Sequence, residues 1–368
     1  MLDLGHLDAF TGSWLLPSLR GGPASLAPMA LSDSVRQMQG RVLEWFGFGP
    51  DESPYDILHA NPRWRVRKYA GGHGAPLLIV AAPIKRPYVW DLSPQVSTLK
   101  HCLLHHFRPY LLEWSEPALG NGGDGLADYA GRFIGEAVAR VSEDAGRANP
   151  FLIGHSLGGT LAAIYATSDS PGIRGLVLLA APLCFAAGSS SFRDAVATLD
   201  AAFLPTTGIV PGSLLSQISA MASPETFLWS RLADGVLSAS DSRASDTHAR
   251  VERWALDEFP LPARLTHEIL HDLYRENQFC REVLRIGDRT LGPSRLTVPT
   301  LAVCNRADAI APRASVAPFL DAVSAAPVSL LEHAGEVGVG FQHLAILVGR
   351  VAHAETWPEI LAWLRVHE

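Results

Sequence analysis

Cysteine is sparse in this chain of 368 residues: Cys102, Cys184, Cys280 and Cys304 are all it has. They lie far apart with no C-x-x-C pair, which excludes a zinc ribbon and a dense disulfide framework and leaves reduced thiols as the expected state. Long apolar runs are missing too. None approaches the ~18 residues that a membrane-spanning helix needs. The opening MLDLGHLDAF places Asp3 and Asp8 where a secretory signal carries positive charge. No transmembrane segment and a cytoplasmic location are therefore expected, with peripheral contact with a lipid or polymer surface left open. Positive charge is also short. The 30 Lys and Arg against 37 Asp and Glu give a formal charge of −7, and the cations are scattered. No basic field exists to hold a phosphate backbone, so no nucleic acid partner is expected. No motif asks for a metal or a cofactor, and neither is expected.

What is present is a globular balance, 48% apolar and 18% charged, enough for a sizeable core with apolar surface left to line a pocket. Residues 1–60 hold Pro17, Gly21, Gly22 and Pro23, then an amphipathic stretch from Val35 to Trp45, then the turn-rich GFGPDESP. They read as an N-terminal arm with one helix. From Arg65 the texture changes. RVRKYA, PLLIVAAP and FRPYLLEW predict strands, the last two being near-continuous apolar runs of the kind buried on both faces of a largely parallel sheet. ADYAGRFIGEAVARVSEDA predicts a helix, FLIGHS a short buried strand, LGGTLAAIYATS a helix and GIRGLVLLAAP another strand. That alternation is the βαβ signature of an α/β fold. It stops at about Phe185, where Trp- and Leu-rich helical segments such as SSFRDAVATLDAAF and LTHEILHDLYRENQF take over until about Leu296. Strands return at LTVPTLAVCN and PVSLLEHA. The expected organisation is a core of residues 61–184 and 297–368, interrupted by a helical cap of residues 185–296.

The pentapeptide Gly154-His155-Ser156-Leu157-Gly158 fits G-x-S-x-G between a predicted strand and a predicted helix, the context that makes the motif a nucleophile elbow of the α/β-hydrolase fold. A nucleophile on so sharp a turn needs neighbours without bulky Cβ groups. The backbone N–H of Leu157, at the start of the helix, is the expected first donor to the substrate oxyanion. The alternative is a structural turn in a chain without catalysis. The second donor is expected in the loop after PLLIVAAP; Pro83 has no N–H, so Ile84 or Lys85 supplies it, with Ile84 preferred.

A serine hydroxyl needs a base, and the base an orienting carboxylate. Chain order in this fold is Ser, acid, His. Asp308, in NRADAIAP just past LTVPTLAVCN, is the candidate acid, against the alternative of a turn aspartate. His343 follows the loop GEVGVGFQ and precedes an apolar helix, 35 residues beyond Asp308, and is the candidate base. His333 falls within a predicted strand and His353 in or beyond a helix. His155 is expected to pack or hydrogen-bond at the elbow.

Beyond the elbow, PLLIVAAPIKRPYVWDLSPQVS, RPYLLEWSEP, IGHSLGGTLAAIYA, RWALDEFPLP, DLYRENQF, VPTLAVCNRADAIAP, FQHLAILVG and WPEILAWL resemble polyhydroxyalkanoate synthases, over about Pro76 to Leu364. The resemblance implies an α/β-hydrolase core, a mostly parallel sheet flanked by helices, with an inserted cap over the site. It carries the nucleophile to Ser156, the acid to Asp308 and the base to His343, and implies 3-hydroxyacyl thioesters as substrates. This chain departs from it at the nucleophile. That family has cysteine in the elbow, where Ser156 would form a more stable oxygen ester and favour deacylation by water or another alcohol.

Three functions follow as expectations. The first is hydrolysis of an ester or thioester of a (hydroxy)acyl chain through an acyl-serine, with acyl-CoA or an acyl carrier protein as carrier. The second is acyl transfer to an alcohol or amine acceptor, including synthase-like elongation. The third is a non-catalytic binding protein on the same fold. The cap is expected to fold over Ser156 and form an apolar channel, the alternative being that its apolar residues make only its own small core.

Overall fold

The computed structural model describes residues 27–118, 120, 122–169, 171–200, 204–257 and 259–368. Residues 1–26, the first part of the expected N-terminal arm, lie outside them. Strands β1 (Asp56–Ala60), β2 (Trp64–Lys68), β3 (Pro76–Val80), β4 (Arg108–Trp114), β5 (Phe151–His155), β6 (Gly175–Leu179), β7 (Thr300–Asn305) and β8 (Val328–His333) form one eight-stranded sheet, in the order β1-β2-β4-β3-β5-β6-β7-β8. β2 runs antiparallel to β1 and β4, and every pairing from β4 to β8 is parallel. Each residue of β3, β5 and β6 is buried, as runs without polar alternation require.

Residues 56–60, expected in the arm, are instead the sheet's edge strand. Their side chains are mostly exposed, so DILHA carries no apolar pattern that would mark it as a strand. Helix α1 (Ala27–Leu43) covers the expected amphipathic stretch. Leu31, Met38 and Val42 are 67%, 65% and 51% exposed, so its apolar stripe faces outward.

Side chains alternate across the sheet and split the core in two. Leu78, Val80 and Leu152 face helices α2 (Ile134–Asp144) and α3 (Leu157–Ala166), while Leu77, Ile79 and Ile153 face the opposite layer with Trp357 and Leu361. This is the three-layered α/β-hydrolase arrangement.

Between β6 and β7 the chain leaves the sheet for residues 180–299. Helices α4 (Ser191–Thr198), α5 (Gly212–Ala222), α6 (Ser230–Ser238), α7 (Ser242–Ala255) and α8 (Ala263–Glu268) lie in this excursion. Two short ladders join them, Ile209–Val210 with Leu261–Pro262 and Leu284–Ile286 with Arg289–Leu291. α4 and α7 start where side chains cap them: Ser190 accepts from the Arg193 N–H, and Asp241 from those of Arg243 and Ala244. The last helix, α9 (Trp357–Val366), closes the chain against the sheet.

One expectation is corrected here. Cys184 and Cys280 are joined in a disulfide with Cα atoms 5.1 Å apart, while Cys102 and Cys304 are buried free thiols. The partners are 96 residues apart, so no local spacing could announce the bond. It ties the start of the excursion to its return. No helix among the described residues is long and apolar enough to cross a membrane.

Candidate active site

The strand-to-helix turn after β5 is as sharp as the glycine pattern predicts. Ser156 sits at φ 54°, ψ −134°, left-handed backbone that costs a side-chain-bearing residue about 1–3 kcal/mol. Its neighbours explain how the turn survives. A Cβ on Gly158 would stand 2.3 Å from the Val80 carbonyl oxygen, and one on Gly154 2.5 Å from Gly159 Cα. The two glycines let α3 start directly against the ends of β3 and β5. Ser156 donates its N–H to the Leu179 carbonyl at 3.0 Å, tying the turn to β6.

Asp308 and His343 meet across 35 residues of chain, His343 Nδ1 lying 2.7 Å from Asp308 Oδ2. The other oxygen, Oδ1, accepts the N–H groups of Ile310 at 2.8 Å and Ala311 at 3.2 Å. Burial alone would raise the Asp308 carboxyl. The His343 ring beside it, their hydrogen bond and the two N–H groups outweigh burial and hold it below the usual carboxylate range. The far ring nitrogen of His343, Nε2, is buried and has no hydrogen-bond partner among the described residues. Both His343 and Ser156 line one cavity of about 280 Å³.

His155 is not at the carboxylate. Its Nε2 lies 2.8 Å from the His343 carbonyl oxygen and donates to it, with the ring centroids 4.8 Å apart. Complete burial and then the neighbouring His343 push its pKa down to about 3, so it is a neutral strut at neutral pH. His333 bonds Thr356, at 2.9 Å, and His353 the Leu347 carbonyl, at 2.7 Å; neither lines the cavity.

Leu157 and Ile84 both line the cavity. So does Ala82, which sequence reasoning passed over. Its backbone nitrogen lies 2.9 Å from where a Gly158 Cβ would be, so it stands directly against the elbow. Its position, two residues past β3 and just before the donor-less Pro83, was the available signal. Apolar side chains from the excursion complete the cavity, among them Phe192, Leu215, Phe227, Trp254, Ile269 and Tyr274. Arg36, Lys85, Arg86 and Arg231 supply the cations in its wall.

Two further residues went unremarked in the sequence. Asn305, at the end of β7, donates from Nδ2 to the Gln342 carbonyl at 2.7 Å, and its Oδ1 accepts the Ala307 N–H at 3.0 Å. It braces the loops of Asp308 and His343 against each other. Asp234 of α6 accepts from the backbone of the loop before His343. Neither stands in a motif, because each partner is distant in sequence.

Comparison with known proteins agrees with this architecture. The poly(3-hydroxyalkanoate) polymerase subunit PhaC of Haloferax mediterranei is 27% identical over 327 residues, covering 85% of this chain and 64% of that one. The PhaC of Haloarcula marismortui is 25% identical, with 60% of its length covered, so the chain spans less than two thirds of these two relatives. The PhaC of Allochromatium vinosum is 24% identical over 85% of this chain and 88% of its own. Among solved structures, the BpoC protein of Mycobacterium tuberculosis superposes with a TM-score of 0.51 at 15% identity, over 84% of this chain and 97% of the other, a likeness of fold. The family model described as "Serine aminopeptidase, S33" (Hydrolase_4) matches residues 132–335, more than half of the chain, including Ser156 and Asp308 and ending before His343. By its fold and by that match, the chain belongs to the Hydrolase_4 family of α/β-hydrolases.

Proposed function

We propose that the protein is a serine-nucleophile acyl-transfer enzyme that hydrolyses an ester or thioester of a (hydroxy)acyl chain through an acyl-Ser156 intermediate. One observation carries this reading: a strained serine and an aspartate-bound histidine, whose Nε2 has no hydrogen-bond partner among the described residues, line the same apolar cavity. In the first step the Ser156 hydroxyl oxygen bonds to the substrate carbonyl carbon while its proton passes to His343 Nε2. Asp308 holds the ring by Nδ1 and stabilises the imidazolium. The carbonyl oxygen becomes an oxyanion that accepts from the Leu157 N–H and from a second donor at Ala82 or Ile84. Collapse breaks the bond to the thiolate or alkoxide, which leaves with the His343 proton. Water then repeats the sequence on the acyl-serine and frees the acid.

The similarity to polymerase subunits supports 3-hydroxyacyl thioesters as the substrate class. The apolar lining of the cavity favours a second reading, transfer of the acyl group to an alcohol or amine, since a wall that excludes water lengthens the life of the acyl-serine.

A fluorophosphonate probe should label wild type and not Ser156→Ala. Intact-protein mass spectrometry with acyl-CoA and simple esters should trap an acyl adduct that water discharges. Equal labelling of both proteins would overturn the assignment. Discharge only on adding an alcohol or amine would move it to the second reading.

A further inference from the structure

The loop that delivers His343 is held from the excursion. Gly338 and Gly340 donate their backbone N–H groups to Asp234 Oδ1 at 2.7 Å and Oδ2 at 2.9 Å. Asp234 stands on α6, some hundred residues earlier in the chain, and its side chain is only 8% exposed. A third bond, from His248 Nδ1 of α7 at 2.8 Å, fixes the carboxylate from behind. Burial would raise the Asp234 carboxyl, but His248 and the two N–H groups hold it below its usual range, as befits an ionised acceptor of three hydrogen bonds.

The loop is shaped to receive that clasp. Both glycines are left-handed, at φ +84° and +74°. A Cβ on Gly338 would lie 2.7 Å from Ala244 Cβ, and one on Gly340 2.4 Å from Val251 Cγ1, both on α7. Phe341 then packs its ring against Trp254 and Phe227 of the excursion. On the sheet side, Asn305 holds the next carbonyl, that of Gln342. The backbone entering His343 is thus gripped from two bodies, and one grip is a single carboxylate.

We propose that Asp234 is a positioning residue for His343, the excursion contributing through this clasp to the alignment of the base. The proposal rests on the triad reading above. Without the carboxylate, two buried N–H groups lose their acceptor and the left-handed loop loses what orders it, and small displacements of a reacting group are costly in rate.

The test measures kcat and KM on a short soluble ester such as p-nitrophenyl acetate, together with fluorophosphonate labelling, for wild type, Asp234→Ala, Asp234→Asn and His248→Gln, and for Asp234→Ala combined with His343→Ala. Asp234→Ala is expected to lower kcat and the labelling rate by ~10–100-fold with KM within about twofold. Asp234→Asn, which keeps one acceptor, should fall between, and His248→Gln, which spares both loop bonds, should stay closest to wild type. In the His343→Ala background the same Asp234 change should alter the residual rate by less than about twofold, because groups that act as a unit are non-additive. A folded Asp234→Ala with wild-type kcat overturns the proposal, as does an equal loss in both backgrounds, which marks a merely structural role. If Asp234→Ala does not fold, Asp234→Asn carries the same comparisons. A wild type unlabelled at Ser156, or His343→Ala as active as wild type, overturns the triad reading itself and the proposal with it.

Discussion

At the residue scale the pair of histidines around the elbow divides the work by environment. His155 is wholly enclosed and stays neutral to about pH 3, whereas an unfolded histidine protonates near 6.5. Its folded pKa is lowered, so below pH 6.5 the unfolded state binds the extra proton and stability falls with pH until about 3. At pH 4 this one group costs on the order of 3 kcal/mol relative to neutral pH. Asp308, with its depressed carboxyl, acts in the same direction at lower pH, its contribution being lost as pH falls through its folded value. Thermal melting across pH 4–7 should show a steep acid decline that His155→Gln flattens. An unchanged slope in that variant would mean that His155 is not the buried neutral group described. The proposed roles of Ser156, Asp308 and His343 were legible in the sequence because the elbow has a local pattern, Asp308 lies just past a strand, and His343 lies between a loop and an apolar helix. Asn305 and His155 bind backbone carbonyls of a distant loop, and no pattern marks such a partner.

At the scale of elements, the junctions carry the geometry. Gly158 admits no Cβ because the obstacle is the backbone of β3, at 2.3 Å, which cannot rotate aside. Gly158→Ala should therefore destabilise by about 3 kcal/mol in denaturant unfolding and displace α3 from the elbow; a variant as stable as wild type would show that the contact relaxes. Asn305 joins the loops after β7 and β8. Asn305→Ala removes the partner of a part-buried carbonyl and of a part-buried N–H, a loss of about 1 kcal/mol, and should lower turnover more than substrate binding. Asn305→Asp should not restore turnover, since it sets an acceptor against the Gln342 carbonyl. Parallel strands were readable as unbroken apolar runs, whereas β1, an exposed edge, was not.

For the whole molecule, the disulfide decides how the excursion is tethered. Closing a loop of nearly a hundred residues by Cys184–Cys280 lowers the entropy of the unfolded chain by about 4–5 kcal/mol. Reductant, or Cys184→Ser with Cys280→Ser, should lower the unfolding midpoint accordingly. An unchanged midpoint would show that the excursion holds without the bond. Because the cavity is walled partly by the excursion and partly by the sheet, the same variants should change preference among long acyl substrates more than hydrolysis of a short ester.

Periodicity, glycine spacing and chain order are local properties, and they alone determined the α/β alternation, the sharp serine turn after a buried strand, and which aspartate and histidine to consider. The edge strand, the Cys184–Cys280 bond, the Asn305 brace and the Asp234 clasp were decided only by tertiary structure. Each joins residues whose partners lie in other elements, and a short polar side chain reads the same in sequence whether it meets solvent or a buried N–H.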